Sequence, residues 1–90
     1  MQFEFDPAKS ASNKAKHGVD FVEVQRLWLG HRVRLTAKPV GGEARYAILG
    51  TIGGVHHTAI ITYRGEAIRI ISARPSGKKE KIIYENHKKP

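Results

Sequence analysis

The segment Arg69-Ile70-Ile71-Ser72-Ala73-Arg74 places a guanidinium at each end of an aliphatic run. A strand of packed aliphatics has no structural need for such ends, whereas an oxyanion does, because a guanidinium fork donates paired hydrogen bonds to it. Period-two alternation sets Arg69, Ile71 and Ala73 on one face and Ile70, Ser72 and Arg74 on the other. The two arginines therefore share a face only if the strand ends or bulges near Ala73. Pro75 supplies an ending, since it cannot donate to a ladder and holds Arg74 extended.

Arg45, Arg64, Arg69, Arg74, Lys79, Glu80 and Tyr84 complete a basic toolkit. It suits cleavage of RNA by the RNA's own 2′-hydroxyl. The nucleophile then belongs to the substrate, and the protein has only to align it, move two protons and stabilise a crowded phosphate. Arg45, Arg69 and Arg74 are the candidates for phosphate and transition-state charge, with Arg64, Lys78, Lys79 and Lys81 as further RNA-backbone contacts. An arginine is a poor base, so proton transfer falls to Glu80, Tyr84, a lysine or His17. Each residue also has a plainer role. Arg45 can be an edge charge that discourages strand pairing, Lys78 and Lys79 a solvated helix face, and Glu80 with Tyr84 an i,i+4 helical pair.

Metal and nucleotide-cofactor chemistry find no matching pattern. His56 and His57 are adjacent on an expected strand and face opposite sides, no H-E-x-x-H occurs, and Gly41-Gly42 and Gly53-Gly54 are turn glycines, not phosphate loops. No cofactor and no metal site are expected. The absence of cysteine excludes disulfides and thiolate zinc sites.

Charge is distributed unevenly. Residues 1–31 carry four Lys or Arg against four Asp or Glu, so the whole formal net charge of +8 lies after His31. A basic sheet and terminal helix suit a phosphate backbone or an acidic protein. At 90 residues the chain is expected to form one domain, residues 1–90, burying roughly 60–65% of its unfolded surface. A core of that size leaves a shallow groove as the expected active site. The start MQFEFDPAK lacks an apolar leader core and no apolar run could span a bilayer, so the expected location is cytoplasmic, with no membrane partner.

The elements that must position these residues are legible as patterns. Met1–Phe5 reads as a short strand, and Asp6-Pro7 opens a helix with a small apolar stripe of Ala8, Ala11 and Ala15, stopped by Gly18. Asp20 and Glu23 have capping-box spacing for a second helix carrying Phe21, Val24, Leu27 and Trp28. Arg32–Ala37 alternates as a half-buried strand, with residues 38–42 as a loop. Residues 45–52 and 55–63 flank Gly53-Gly54 as a hairpin, and a tight turn at 64–66 leads into 67–74. Ser76 is placed to cap a last helix through Ile82, Ile83 and Tyr84, ending in the basic residues 87–90. The fold class is α+β: a twisted antiparallel sheet of about four strands plus a short N-terminal strand, two N-terminal helices and one C-terminal helix.

Phe5-Asp6-Pro7-Ala8-Lys9, Asn13, Lys16-His17-Gly18-Val19, Phe21 and Glu23, then Arg45, Gly50, Arg69 to Arg74, Glu80 and Tyr84, together resemble the BrnT family of type II toxin-antitoxin ribonucleases. The resemblance runs almost end to end. It implies a RelE-like fold, a ribonuclease that inhibits translation and growth, and neutralisation by a small BrnA-like antitoxin. Such an antitoxin carries a ribbon-helix-helix DNA-binding portion, so that the complex, possible as a heterotetramer, binds its own operator. The same arginines would also serve a non-catalytic nucleic-acid-binding module, or an adaptor for an acidic protein.

Overall fold

The computed structural model describes residues 1–89; Pro90, the last residue of the expected basic end, lies outside the described residues. The element order is β1 (Gln2–Glu4), α1 (Pro7–His17), a 3₁₀ helix (Glu23–Leu29), β2 (Val33–Val40), β3 (Glu43–Ile52), β4 (Val55–Arg64), β5 (Ala67–Pro75) and α2 (Lys78–Lys88). The five strands form one sheet in the order β1-β5-β4-β3-β2. The expected antiparallel sheet is in fact mixed: β2 to β5 form an antiparallel meander, while β1 pairs parallel to β5, with Glu4 beside Arg69. No helix among the described residues is long and apolar enough to cross a membrane.

One α-helix precedes β2, not the two that were expected. The Asp20 cap does form, with its Oδ1 accepting from the Val22 and Glu23 amides at 2.9 and 2.7 Å, and Glu23 accepts in return from the Asp20 amide at 3.0 Å. The residues after this cap wind as a 3₁₀ helix because the apolar side chains recur every third position. Phe21, Val24 and Leu27 are each at most 1% exposed, and a three-residue turn stacks i and i+3 in one line facing the sheet. Gly50 opposite accommodates this line, since a Cβ there would lie 3.1 Å from the Leu27 side chain.

Helix α1 begins as its sequence indicates. Asp6 accepts from the Ala8 amide at 2.8 Å, Pro7 occupies the first turn, and Gly18 closes the helix at φ 78° with its N–H on the Lys14 carbonyl. Its buried face is not the expected alanine stripe. Ala8, Ala11 and Ala15 are exposed, and Ser10 and Asn13 are buried instead. Ser10 Oγ accepts from the Phe21 amide at 2.9 Å. Asn13 Nδ2 donates to the Val19 and Ala73 carbonyls at 2.7 and 2.8 Å, and its Oδ1 accepts from the Ala73 amide at 3.2 Å. Because β1 ends at Glu4, the far half of β5 has no strand neighbour on that side. Asn13 meets that need by offering β5 one donor and one acceptor, as a strand would.

Two expected boundaries shift. β2 continues through Val40 past an irregularity between Ala37 and Val40, which leaves only Gly41-Gly42, both at positive φ, as the turn. Gly77 caps α2 in place of Ser76, whose hydroxyl is 2.8 Å from that of Thr58.

The register sorts the sheet into two faces. Phe3, Ile48, Ala59, Ile61, Ile68, Ile70 and Ala73 lie under α1 and the 3₁₀ helix with Val19, Phe21, Val24 and Leu27, forming the main core. The opposite face is covered at one end only, where Ile83 and Tyr84 of α2 pack on Val33, Leu35 and Leu49.

Candidate anion-binding face

The uncovered part of that second face carries the arginines. A register shift between Ile60 and Ile61 pairs Ile60 with Ser72 and Ile61 with Ile70, leaving Ile71 as an extra residue in β5. This bulge reverses the alternation. Arg69 pairs with Thr62 and Arg74 with Thr58, and both threonines point to one face. Arg45 belongs to the same face, two and four residues from Ala47 and Leu49, which pair with Ile60 and Thr58. Strict alternation would have separated Arg69 and Arg74; the bulge brings them to one side.

They do not form a single cluster. From Thr62 to Thr58 is four residues along β4, so the backbones at Arg69 and Arg74 stand about 14 Å apart at a rise of ~3.4 Å per residue. Two groups result, with different geometry.

The first group is Arg45, Arg64 and Arg69, which with Lys9, Asp6, Glu43 and Ile71 line a cleft of ≈ 120 Å³. Its ion pairs are loose. Arg69 Nη1 is 3.5 Å from Glu4 Oε1, and Arg64 lies 3.6 Å from Glu43 and 4.0 Å from Glu4. Tight charge-assisted hydrogen bonds span about 2.7–2.9 Å, so these guanidinium groups keep most of their donor capacity. Among the described residues Arg45 has no ion pair, and its Nε is buried without a hydrogen-bond partner. Four cations against Asp6 and Glu43 leave the cleft lining positive, a match for a phosphodiester.

The second group is closed on itself. Arg74 donates to Glu80 through Nη1 at 2.7 Å and Nη2 at 2.9 Å, and Glu80 Oε1 also accepts from the Gly77 amide at 2.7 Å. The Arg74 guanidinium, before the Gly77 amide, holds the Glu80 carboxyl below its ordinary range. Glu80 is thus ionised at neutral pH and its oxygens are engaged. Its folded pKa lies below the unfolded value of ~4.3, so the pair stabilises fully above that value and is lost as pH falls through the lowered one. The parent protein is therefore expected to lose more thermal stability than Glu80→Gln between about pH 5 and pH 2, as followed by circular dichroism. Equal losses would show that the pair contributes nothing.

Tyr84 is buried, its hydroxyl donating to the His31 carbonyl at 3.3 Å and its ring packed edge-on against His56. His56 in turn meets Glu85 at 2.9 Å. Lys78, Lys79 and Lys81 are exposed on α2. His17 lines a different groove, with Ser12, Asn13 and Lys16. Among the described residues no three His, Asp or Glu side chains are grouped so as to hold a metal ion.

Glu4 and Glu43 are the site residues that periodicity did not single out. A signal was present for Glu4: it sits between Phe3 and Phe5, which pack on Trp28 and Phe21 in the core, so it must point to the opposite face.

Fold and face together define an α+β domain with one sheet surface left open and lined by lightly engaged arginines. Residues 5–80 match the family described as "Ribonuclease toxin, BrnT, of type II toxin-antitoxin system". The chain belongs to that family. It is thus assigned to the ribonuclease toxins of type II systems, which implies an antitoxin protein as partner. The match takes in Arg45, Arg64, Arg69, Arg74 and Glu80 and ends before Tyr84. None of the curated proteins searched matches the chain.

Proposed function

We propose that this protein is a RelE-like endoribonuclease that cleaves RNA by metal-independent attack of the 2′-hydroxyl, and so inhibits translation and growth. The observation that carries the mechanism is the cleft of Arg45, Arg64 and Arg69 beside Glu4 and Glu43 on an open sheet face. The scissile phosphate sits among the three guanidinium groups, displacing the loose carboxylate contacts. Their fixed positive charge stabilises the crowded phosphate in the transition state and does not reorganise as charge develops. A carboxylate freed in this way, Glu43 or Glu4, is then within reach of the substrate as general base, a role for which Glu80, committed to Arg74, is unsuited. Arg74 and Glu80 anchor α2 beside the face, and Tyr84 packs that helix onto the sheet. The positive lining favours a phosphate over a divalent cation in the same cleft.

The antitoxin, a BrnA-like ribbon-helix-helix protein in this reading, inhibits by covering the basic face and α2. Purified protein incubated with labelled RNA in EDTA is expected to yield 2′,3′-cyclic phosphate ends. Strict Mg²⁺ dependence of the chemical step, with 3′-hydroxyl products, would overturn the mechanism. RNA that is retarded but intact would favour the non-catalytic binding module.

A further inference from the structure

A cavity larger than the arginine cleft lies on the other side of the sheet. This groove of ≈ 570 Å³ opens beside the 3₁₀ helix, lined by Trp28, His31, Arg32, Arg34, Tyr63 and Ile68 among others, with no Asp or Glu in its wall. Register places it opposite the arginine cleft: Arg34 pairs with Ile48 and Tyr63 with Ile68, both on the core-facing side of the sheet. The helices that cover the rest of that side leave this end open, so that Tyr63 is 42% exposed.

The polar groups in the groove are arranged on aromatic rings. The Arg34 guanidinium stands 5.1 Å from the Tyr46 ring centroid and 5.9 Å from that of Tyr63, and its Nη1 donates to the Tyr63 hydroxyl at 3.2 Å. The Tyr46 and Tyr63 rings are themselves 5.3 Å apart. Arg32 is held near Trp28 by contacts of 3.3 and 3.5 Å to the Trp28 and Gly30 carbonyls. Cations on aromatic surfaces without a neighbouring carboxylate are what a single-stranded nucleic acid recognises, its phosphates meeting the guanidiniums and its bases the rings. An acidic peptide would use the arginines and leave the rings unused.

Position selects the occupant further. Tyr63 and Arg64 are consecutive residues of β4 that point to opposite faces, at the end where β4 turns into β5. The groove and the arginine cleft thus meet over one rim of the sheet.

We infer that this groove binds the single-stranded RNA flanking the cleaved phosphate, with a base stacked at Tyr63 or Trp28 and backbone phosphates on Arg32 and Arg34. The inference rests on the ribonuclease reading. RNA crosses the rim from one face to the other, so affinity is set partly by nucleotides that the chemistry never touches. Stacking is sequence-tolerant because every base has a π-face, and the groove therefore adds affinity without fixing a recognition sequence.

Trp28 is the only tryptophan, which makes the test direct. The full-length protein is titrated with a 2′-O-methyl adenosine decamer, which lacks the attacking hydroxyl, at constant low salt. Trp28 emission is expected to be quenched in the parent protein and, at saturating decamer, still to be quenched in Arg69→Gln, whose side chain lies on the other face. Tyr63→Leu and Arg34→Gln, each first shown to melt like the parent, are expected to weaken decamer binding about tenfold. Unchanged affinity in both variants, or displacement of the decamer by poly-glutamate at equal charge, would overturn the inference. Cleavage of unmodified RNA with no change in Trp28 emission on titration would also overturn it while leaving the ribonuclease reading intact. Quenching without cleavage of any RNA would overturn the ribonuclease reading and, with it, the placement of the groove beside a cleaved phosphate, leaving only a strand-binding surface.

Discussion

Replacing Arg69 with Gln is expected to lower RNA cleavage by about 10²–10³-fold, the loss typical of removing one transition-state donor, while the thermal melt stays nearly unchanged. The contrast comes from its contacts. The Arg69 side chain is 28% exposed and its ion pair to Glu4 spans 3.5 Å, a partly solvated contact worth at most about 1 kcal/mol to the fold. The same guanidinium faces a phosphate whose charge rises during the reaction, where about 3–4 kcal/mol is at stake. Arg45→Gln is expected to behave in the same way, having no ion pair to lose. Lysine at either position should restore charge but not the forked geometry, and so rescue only part of the rate. Arg74→Gln differs: it breaks a bidentate pair at 2.7 and 2.9 Å and loosens α2, so its melt falls by several degrees at about 1 kcal/mol. Single-turnover cleavage and calorimetry on the three variants check this. If Arg69→Gln melts as far below the parent as Arg74→Gln, Arg69 is a structural partner and its assignment to the phosphate fails.

Much of this arrangement is legible in the chain, and the failures have a common physical origin. The Asp6-Pro7 start, the Gly18 stop, the Gly53-Gly54 hairpin and the alternation of the middle strands all depend on neighbours in sequence, and all are present in the fold. The features that sequence does not announce depend on pairings between distant segments. The bulge at Ile71 leaves no mark in composition because it exists only as a mismatch between β4 and β5. Alternation alone therefore puts Arg69 and Arg74 on opposite faces. Glu4 comes to stand beside the cleft, 3.5 Å from Arg69, only through the parallel pairing of β1 with β5, a contact that no periodicity announces. The seven residues from Glu23 suit a helical period of 3.6, yet Phe21, Val24 and Leu27 also fit a period of three, and packing against Gly50 favours the tighter turn. Glu80 and Tyr84 share the i,i+4 spacing of a functional pair, but tertiary contacts divide them, one to Arg74 and the other to the His31 carbonyl.

The largest stability effect is expected at Asn13. Its helix buries no apolar side chain, since Ala8, Ala11 and Ala15 are exposed and the buried residues are Ser10 and Asn13. Yet Asn13 is 7% exposed and joins three backbone groups: the Val19 carbonyl, the Ala73 carbonyl and the Ala73 amide. Substitution by Ala leaves all three buried and unpaired at the point where α1, the loop after it and the free edge of β5 meet. Each buried group without a partner costs about 1–3 kcal/mol, and partial access to water reduces the total, so a loss of about 3 kcal/mol is expected. For a domain of this size that lowers Tm by roughly 12–24 °C. Asn13→Asp is the informative companion, because it keeps the acceptor for the Ala73 amide and loses the donor to both carbonyls. It should fall at least as far as Asn13→Ala at neutral pH, where a carboxylate faces two carbonyl oxygens, and recover on protonation of the aspartate, which restores one donor. Amide exchange reports the local consequence. The Ala73 N–H should change from one of the slower-exchanging amides in the parent to one exchanging with the loops in Asn13→Ala. A variant that melts within about 3 °C of the parent would mean that water or a neighbouring strand replaces Asn13 at less than about 1 kcal/mol. In that case the edge of β5 beside the arginine face would be held by the sheet alone.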